Sequence, residues 1–154
     1  MSAIMKGLFV FINIFLVANA LSQSLIDELK RTTQEIGLAC AQSEKATDAD
    51  IELLMGHNSP TSHAGKCTVA CVMKKMNILT PDGKFGEGYT EWLDKAKADD
   101  PDFYNTLENM YKECEKKVTI HDDHCETALE IAACGKQKPV RLELRTCLIK
   151  VIIN

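Results

Sequence analysis

The sequence predicts an all-α protein in which six short helices and a C-terminal tail form one domain. Apolar residues recur at helical spacing along most of the chain. Residues that favour helix N-termini precede the apolar segments. Alternation of apolar and polar residues never extends far enough to indicate a strand. Internal repeats, low-complexity segments and linkers long enough to divide two domains are also lacking, which favours a single domain.

The first three helices are defined by their apolar spacing and their caps. Residues at spacings of four, seven and four place one stripe on the first helix: Leu25, Leu29, Ile36 and Cys40. The acidic and hydroxyl residues at 47–50 favour the start of a short second helix, which contains residues 51–55 and stops at Gly56. After a loop, Thr61 or Ser62 can cap a third helix that extends to about residue 77.

Three further helices follow a turn at residues 80–84, which is rich in proline, aspartate and glycine. The fourth helix is predicted at about residues 89–98. Asp99 or Asp100 can cap the fifth, with Pro101 in its favoured first turn. The stripe of the fifth helix contains Phe103, Leu107, Met110, Tyr111, Cys114 and Val118.

The sixth helix is predicted from Cys125 to Cys134, with Asp122 or Asp123 as its cap and Gly135 as its end. Pro139 then separates the tail, VRLELRTCLIKVIIN. The coarse order is therefore six helices followed by an apolar C-terminal segment.

The first 20 residues have the pattern of a secretory signal peptide. A single positive charge at Lys6 precedes an apolar segment at 7–17, and the small-x-small sequence Ala18-Asn19-Ala20 follows. The apolar segment is short for a membrane-spanning helix, which needs roughly 20 residues. We therefore expect residues 1–20 to be removed, and residues 21–154 to form a secreted, extracellular domain without stable membrane insertion.

Composition narrows the class of function. The formal net charge of −4 and the lack of a basic stripe argue against a nucleic-acid partner. All seven cysteines follow the predicted signal peptide, and in a secreted chain they are expected to form disulfides. The C-x2-C pairs typical of zinc sites do not occur, so no metal or other cofactor is predicted. Because seven is odd, at least one thiol is free or pairs with another molecule.

Helical geometry limits which cysteines can pair. Cys67 and Cys71 are four residues apart, so they share one side of a helix and should bond to different helices. Cys125 and Cys134 are nine apart, so they lie on opposite sides of their helix and should reach different neighbours. These exclusions narrow the possible connectivities without choosing one.

The order of six cysteines resembles the signature of the insect odorant-binding proteins, a family that includes the pheromone-binding proteins. The spacing is Cys40-x26-Cys67-x3-Cys71-x42-Cys114-x10-Cys125-x8-Cys134, and the x3 and x8 gaps are the features that match most tightly. The resemblance implies interlocked disulfides between Cys40 and Cys71, Cys67 and Cys125, and Cys114 and Cys134. Cys147 has no counterpart in this pattern; we expect a buried apolar thiol, with an intermolecular disulfide as the alternative.

The same resemblance implies an apolar cavity for a small hydrophobic ligand such as an odorant or pheromone. Position relative to the matched cysteines implies a lining of Leu53, Leu54, Val69, Met73, Met76, Ile78, Leu79, Phe85, Trp92, Leu107, Met110, Tyr111, Leu129 and Ala132. Tyr111 could offer its hydroxyl to a ligand carbonyl or alcohol. The tail is expected to fold over the opening through Leu148, Ile149 and Ile152. Packed core remains the alternative for each of these residues.

The expected role is transport of a ligand and its delivery to a membrane chemoreceptor, by a monomer or weak homodimer. No catalytic residue is predicted. The sequence IHDDHC at 120–125 resembles the His-Asp helix of a secreted phospholipase, but the glycine-rich calcium loop of that class is absent. Motifs of serine hydrolases and zinc proteases are also absent. The alternative is a disulfide-rich helical interaction or signalling module with a filled core, which would display exposed apolar anchors.

Histidine titrates in the physiological pH range, so the four histidines raise the possibility of ligand release on acidification. His57 and His63 flank a loop, where protonation could loosen a lid. An ordinary solvated side chain is the alternative for each of them.

Overall fold

The fold was analysed in a computed structural model that describes residues 21–137. Six helices occur in this part of the chain: α1 (Gln23–Ser43), α2 (Asp48–Met55), α3 (His63–Lys75), α4 (Thr90–Asp99), α5 (Pro101–Lys117) and α6 (His124–Gln137). Within residues 21–137, extended pairing is limited to one isolated antiparallel bridge between Leu79 and Phe85. The prediction of an all-α fold with six helices is confirmed. The predicted signal peptide and C-terminal tail lie outside the described residues.

Helices α2 and α3 begin at the capping residues that the sequence indicates. The Thr47 hydroxyl oxygen accepts a hydrogen bond from the Asp50 amide, and the Asp50 carboxylate accepts one from the Thr47 amide, which completes a capping box. Of the two candidates before α3, Ser62 is the cap: its hydroxyl oxygen accepts from the Gly65 amide at 2.9 Å. Local hydrogen bonds thus fix both helix starts.

Aspartates begin the two C-terminal helices. The Asp100 carboxylate accepts from the Phe103 amide at 3.0 Å, and Pro101 follows it in the first turn of α5. The Asp123 carboxylate accepts from the Cys125 amide at 2.9 Å at the start of α6.

Two helices end at residues other than those that the sequence predicts. Helix α3 ends at Lys75, and Asn77 then adopts a left-handed backbone conformation with φ of 54°. Helix α6 does not stop at Gly135 but continues to Gln137. A glycine inside a helix costs only about 1 kcal/mol relative to alanine, so the packing of α6 can offset it.

Helix α3 is at the centre of the fold. Its most extensive helix contact is with α6, and it also packs against α1 and α2. Helices α4 and α5 pack against each other, with α4 also touching α1 and α5 also touching α6. Among the described helices, none combines the length and apolar character that crossing a membrane requires.

The buried apolar residues form two clusters. The Trp92 cluster consists of Leu21, Leu25, Ile26, Trp92, Ala96 and Phe103, from α1, α4 and α5 and the residues before α1. The Leu79 cluster consists of Ala70, Leu79, Ala128 and Ile131, from α3, α6 and the loop after α3. The first cluster lies where α1 meets the α4–α5 pair, and the second where α3 meets α6.

Candidate functional site

Three disulfides hold the helices that surround the candidate site: Cys40–Cys71, Cys67–Cys125 and Cys114–Cys134. They are the same pairs that the cysteine resemblance implies. The first joins α1 to α3, the second α3 to α6, and the third α5 to α6. Both α3 and α6 therefore carry two bridges, each to a different neighbour, in agreement with the geometric exclusions drawn from the sequence.

The segment between α3 and α4 folds back on itself beside the Leu79 cluster. The Gly86 amide donates to the Ile78 carbonyl at 2.9 Å, and the Gly88 amide donates to the Asn77 carbonyl at 2.8 Å. A Cβ atom on Gly86 would collide with the Asn77 carbonyl, so this close approach requires glycine. We call residues 77–88 the central loop.

The central loop places two apolar side chains against α3 and α6. Leu79 is completely buried, and Phe85 is half-buried against the Leu79 cluster. The ring of Phe85 also meets the ring of Tyr111 on α5, edge to face, with ring centroids 5.5 Å apart. The central loop therefore brings residues from three helices to one apolar surface.

The Tyr111 hydroxyl fastens α5 to the central loop. It donates to the carbonyl of Gly86 at 2.7 Å and to the carbonyl of Ile78 at 3.0 Å. Burial raises the pKa of Tyr111 to about 12, and the negative charge of Glu115 acts in the same direction. The phenol consequently keeps its proton throughout the physiological pH range.

The Trp92 cluster is a second apolar region. Trp92 and Phe103 meet edge to face, with ring centroids 6.1 Å apart, and the indole nitrogen of Trp92 donates to the Leu25 carbonyl at 3.2 Å. Leu107, Tyr89 and other half-buried residues pack against this cluster. Its polar atoms are thus satisfied within the protein.

The predicted lining residues are divided between these regions. Five of them belong to or contact the Leu79 cluster: Val69, Met73, Ile78, Leu79 and Phe85. Trp92 and Leu107 belong to or contact the Trp92 cluster instead. The remaining described lining residues are half-buried on α2, α5 and α6 and at the residue that follows α3: Leu53, Leu54, Met76, Met110, Tyr111, Leu129 and Ala132. Leu148, Ile149 and Ile152 lie outside the described residues.

Several apolar residues of the two clusters were not among the predicted lining residues. They are Leu21, Leu25, Ile26, Ala70, Ala96, Phe103, Ala128 and Ile131. Burial of Leu25 and Phe103 could be expected from the sequence, because both lie on apolar stripes of helices. Ala70 and Ala128 are small residues that show no such signal, and only the close contact of α3 with α6 identifies them.

Two of the histidines, His121 and His124, make side-chain contacts near the start of α6. His121 Nε2 lies 2.8 Å from Glu130 Oε1, and the Lys74 ammonium donates to His124 Nδ1 at 2.9 Å. The His121 hydrogen bond lowers the pKa of Glu130. The side-chain partners of both histidines in the phospholipase-like sequence are therefore a glutamate and a lysine from other segments.

One group of potential metal ligands occurs among residues 21–137: His63, Cys67 and Cys125, whose ligand atoms lie within 4.8 Å of one another. Cys67 and Cys125 are joined as a disulfide, so neither offers the thiolate that would bind a metal ion. His63 is therefore the only one of the three that could bind a metal ion, and it lies beside a structural disulfide.

The fold and bridges define a class of small helical proteins whose central helix is held by interlocked disulfides. The model of the PBP/GOBP family matches residues 22–138. The chain therefore belongs to the PBP/GOBP family, and the resemblance to odorant-binding proteins that the cysteine spacing indicated is confirmed.

Relatives support the same assignment. General odorant-binding protein 19d of Drosophila melanogaster is 33% identical over 101 residues, covering 65% of this chain and 67% of that protein. General odorant-binding protein 28a of the same organism is 33% identical over 97 residues, covering 62% of this chain and 67% of that protein.

Solved structures match as well. Odorant-binding protein dmelOBP28a from Drosophila melanogaster has a TM-score of 0.59 at 32% identity, covering 72% of this chain and 92% of that chain. Odorant-binding protein lmigOBP1 from Locusta migratoria, at 23% identity and a TM-score of 0.57, covers 82% and 94% and shows that the fold is shared.

Proposed function

We propose that this protein is an extracellular carrier that binds a small hydrophobic molecule between its helices and releases it at a receptor or another sink. Membership of the PBP/GOBP family and the names of the Drosophila relatives support a carrier of small ligands. In this proposal residues 1–20 direct secretion and residues 21–154 form one domain. No bond is made or broken, so the protein is not an enzyme.

The observation that carries the proposal is the incomplete burial of large apolar side chains on α3, α5 and the central loop. Leu79 is fully buried, whereas Met73, Phe85, Leu107 and Met110 are all half-buried. A filled core would cover such residues almost completely. Half-buried apolar surface among tightly bridged helices instead supports a space that a ligand occupies.

The energetics of such a space fit the disulfide framework. An empty apolar cavity costs on the order of 24 cal/mol per Å3, so roughly 300 Å3 would cost several kcal/mol. A disulfide contributes typically about 2–4 kcal/mol. Three bridges can therefore offset the cost of a cavity that a packed core of this size would not include.

We assign the binding surface to the residues around the Leu79 cluster and the central loop. Met73 supplies a flexible, polarizable side chain that adapts to the shape of a ligand. Phe85 and Ile78 add rigid apolar area from the central loop. Affinity would come mainly from burial of apolar surface, at about 25 cal/mol per Å2.

The interaction module with a filled core is the second candidate. Leu38 and Met55 favour it, because their side chains are 63% and 67% exposed. They lie on different helices, and single exposed apolar residues are common on soluble proteins. This candidate predicts binding of a protein partner without uptake of small apolar molecules.

Displacement of a fluorescent apolar probe tests the proposal. The mature, oxidised protein with its three bridges intact is titrated with N-phenyl-naphthylamine, then with fatty acids, long-chain alcohols, esters and volatiles. We expect saturable uptake of one probe per chain, competition by some of these compounds, and loss of uptake after reduction of the disulfides. An oxidised, folded sample that takes up no probe would refute the carrier and favour the interaction module.

A further inference from the structure

We propose that Tyr111 makes this carrier selective for ligands with a hydrogen-bond donor, such as a long-chain alcohol, over ligands of the same shape that can only accept. The inference rests on the proposed carrier function and specifies the chemical class of its ligand. The phenolic oxygen of Tyr111 is the group assigned to accept the ligand hydroxyl.

The surroundings of Tyr111 contain more acceptors than donors. Three oxygen atoms meet at this point: the phenolic oxygen and the carbonyls of Ile78 and Gly86, which lie 3.0 and 2.7 Å from it. The phenol supplies one proton for both carbonyls, because a hydroxyl has a single donor. The Gly86 amide also donates to the Ile78 carbonyl, so that carbonyl already accepts two hydrogen bonds.

The phenolic oxygen retains its capacity to accept. Both of its hydrogen bonds within residues 21–137 use the proton, and a hydroxyl oxygen also carries two acceptor lone pairs. Donation to a carbonyl polarises the hydroxyl and strengthens it as an acceptor. A ligand hydroxyl can therefore donate to Tyr111 without breaking either bond to the central loop.

A ligand carbonyl or ether would meet the opposite situation. To donate to it, the phenol would have to give up the Gly86 and Ile78 carbonyls. The half-buried Gly86 carbonyl would lose the hydrogen bond it accepts from Tyr111, and the Ile78 carbonyl would keep only the one from the Gly86 amide. The sequence left open whether Tyr111 serves a carbonyl or an alcohol, and the two backbone acceptors favour the alcohol.

Charge near the phenol adds to this selectivity. Glu115 follows Tyr111 by four residues on α5, so the two side chains share one face of that helix, and the negative charge of Glu115 acts to raise the pKa of Tyr111. The same charge disfavours a ligand carboxylate at this position and favours the partial positive charge of a hydroxyl hydrogen. A fatty acid anion should therefore bind more weakly than the corresponding alcohol.

Tyr111 is placed where a ligand at the Leu79 cluster would reach it. Its ring packs edge to face on Phe85, and Phe85 contacts that cluster. Tyr111 is itself only half-buried, so part of its side chain remains accessible. An apolar ligand chain lying against Phe85 would thus bring a terminal hydroxyl near the phenolic oxygen.

The test compares decanol with methyl nonyl ether, two isomers that differ in their ability to donate. Both displace the fluorescent probe from the oxidised protein, with undecane and decanoate as further competitors. We expect decanol to bind about three- to tenfold more tightly than the ether, the ratio that one neutral hydrogen bond supplies. Decanoate is expected to bind more weakly than decanol.

Two variants test whether the preference for decanol depends on the Tyr111 hydroxyl. In Tyr111→Phe the ratio of the decanol and ether affinities should fall towards one, while undecane still displaces the probe. Tyr104→Phe is the matched control on the same helix, since its hydroxyl contacts Glu108 and its ring contacts Lys97; its ratio should equal that of the wild type. Far-ultraviolet circular dichroism and the number of disulfides confirm that each variant is folded.

Equal affinity of the wild type for decanol and the ether would overturn the selectivity while leaving the carrier proposal intact. A ratio that is unchanged or higher in Tyr111→Phe would overturn the assignment to the phenolic oxygen. Failure of the wild type to take up the probe would refute the carrier function itself, so the two failures are distinguishable.

Discussion

Asp50 is a single residue that joins two helices. Its carboxylate accepts hydrogen bonds from the amide and hydroxyl of Thr47 at the start of α2, and from the hydroxyl of Ser62 at the start of α3 at 2.6 Å. The side chain is buried, and Gly65 leaves the space that it needs: a Cβ on Gly65 would lie 2.7 Å from a carboxylate oxygen of Asp50. Both caps therefore depend on one charge.

Asp50→Asn should lower the midpoint of thermal unfolding by several degrees. The amide cannot accept all three hydrogen bonds that the carboxylate accepts, and a buried donor left unpaired destabilises the fold. Differential scanning calorimetry of the oxidised protein measures the change. Asp48→Asn is the control, because Asp48 is an exposed residue of the same helix, and it should shift the midpoint far less. Equal shifts in the two variants would contradict the role of Asp50.

The same carboxylate predicts an acid sensitivity. The hydrogen bond from Ser62, followed by those from Thr47, holds the pKa of Asp50 below its ordinary value. A lowered pKa in the folded state contributes stability above the ordinary carboxyl pKa of about 3.9, and that contribution disappears as pH falls through the lowered pKa. Wild-type stability should therefore decline below about pH 4, and Asp50→Asn should reduce the slope. If stability falls with pH equally steeply in the wild type and in Asp50→Asn, the acid sensitivity arises from other carboxylates.

Two glycines provide opposite predictions at the residue scale. Gly37 lies inside α1 with no atom within 4 Å of a Cβ position, so Gly37→Ala should stabilise the protein by about 0.5–1 kcal/mol. Gly86 lies against the Asn77 carbonyl, so Gly86→Ala should destabilise it by about 1–3 kcal/mol. Urea unfolding measures both free energies. A destabilising Gly37→Ala or a neutral Gly86→Ala would contradict the described geometry.

At the scale of elements, the disulfides distribute their constraint unevenly. The bridge Cys67–Cys125 closes a sequence separation of 58 residues, whereas Cys114–Cys134 closes one of 20. Restriction of the unfolded chain grows with the length of the closed segment. Cys67–Cys125 also joins α3 to α6, the two helices with the most extensive contact.

Removal of Cys67–Cys125 by a pair of Cys→Ala substitutions should therefore cost more than removal of Cys114–Cys134. The chain-entropy relation gives about 4 kcal/mol for the first and about 3 kcal/mol for the second. Urea unfolding of the two variants, each with its remaining bridges verified by mass spectrometry, measures the difference. A larger loss of unfolding free energy on removal of Cys114–Cys134 would mean that contacts in the folded state affect stability more than the length of the closed loop does.

At the scale of the whole molecule, the C-terminal tail is proposed to cover the binding surface. Deletion of residues 140–154 should weaken probe binding and speed its release several-fold, because Leu148, Ile149 and Ile152 would no longer shield the ligand from water. Stopped-flow fluorescence measures the release rate. A variant with these three residues changed to serine keeps the length of the tail and should behave like the deletion. Unchanged affinity and release rate in both would refute the lid.

The candidate site was less predictable than the fold. The grouping of Val69, Met73 and Leu79 at the Leu79 cluster agrees with their positions relative to the matched cysteines. The separation of Trp92 from the Leu79 cluster could not be predicted, since it depends on how α4 and α5 pack against α1 rather than on any local pattern. Likewise, the sequence indicated that the Tyr111 hydroxyl could form a hydrogen bond. It did not indicate that the carbonyls of Ile78 and Gly86 would accept that bond.

The helices, most of their caps and the family could be predicted from the sequence alone, because they depend on the spacing of residues along the chain. Thr47 and Asp50 cap α2 through neighbours three residues apart, and the cysteine spacing identifies the framework. Three features emerge only in the folded molecule: α6 continues through Gly135, the Tyr111 hydroxyl bonds to the central loop, and the apolar residues divide into two clusters. These features arise from contacts between segments distant in sequence, where packing outweighs local preference.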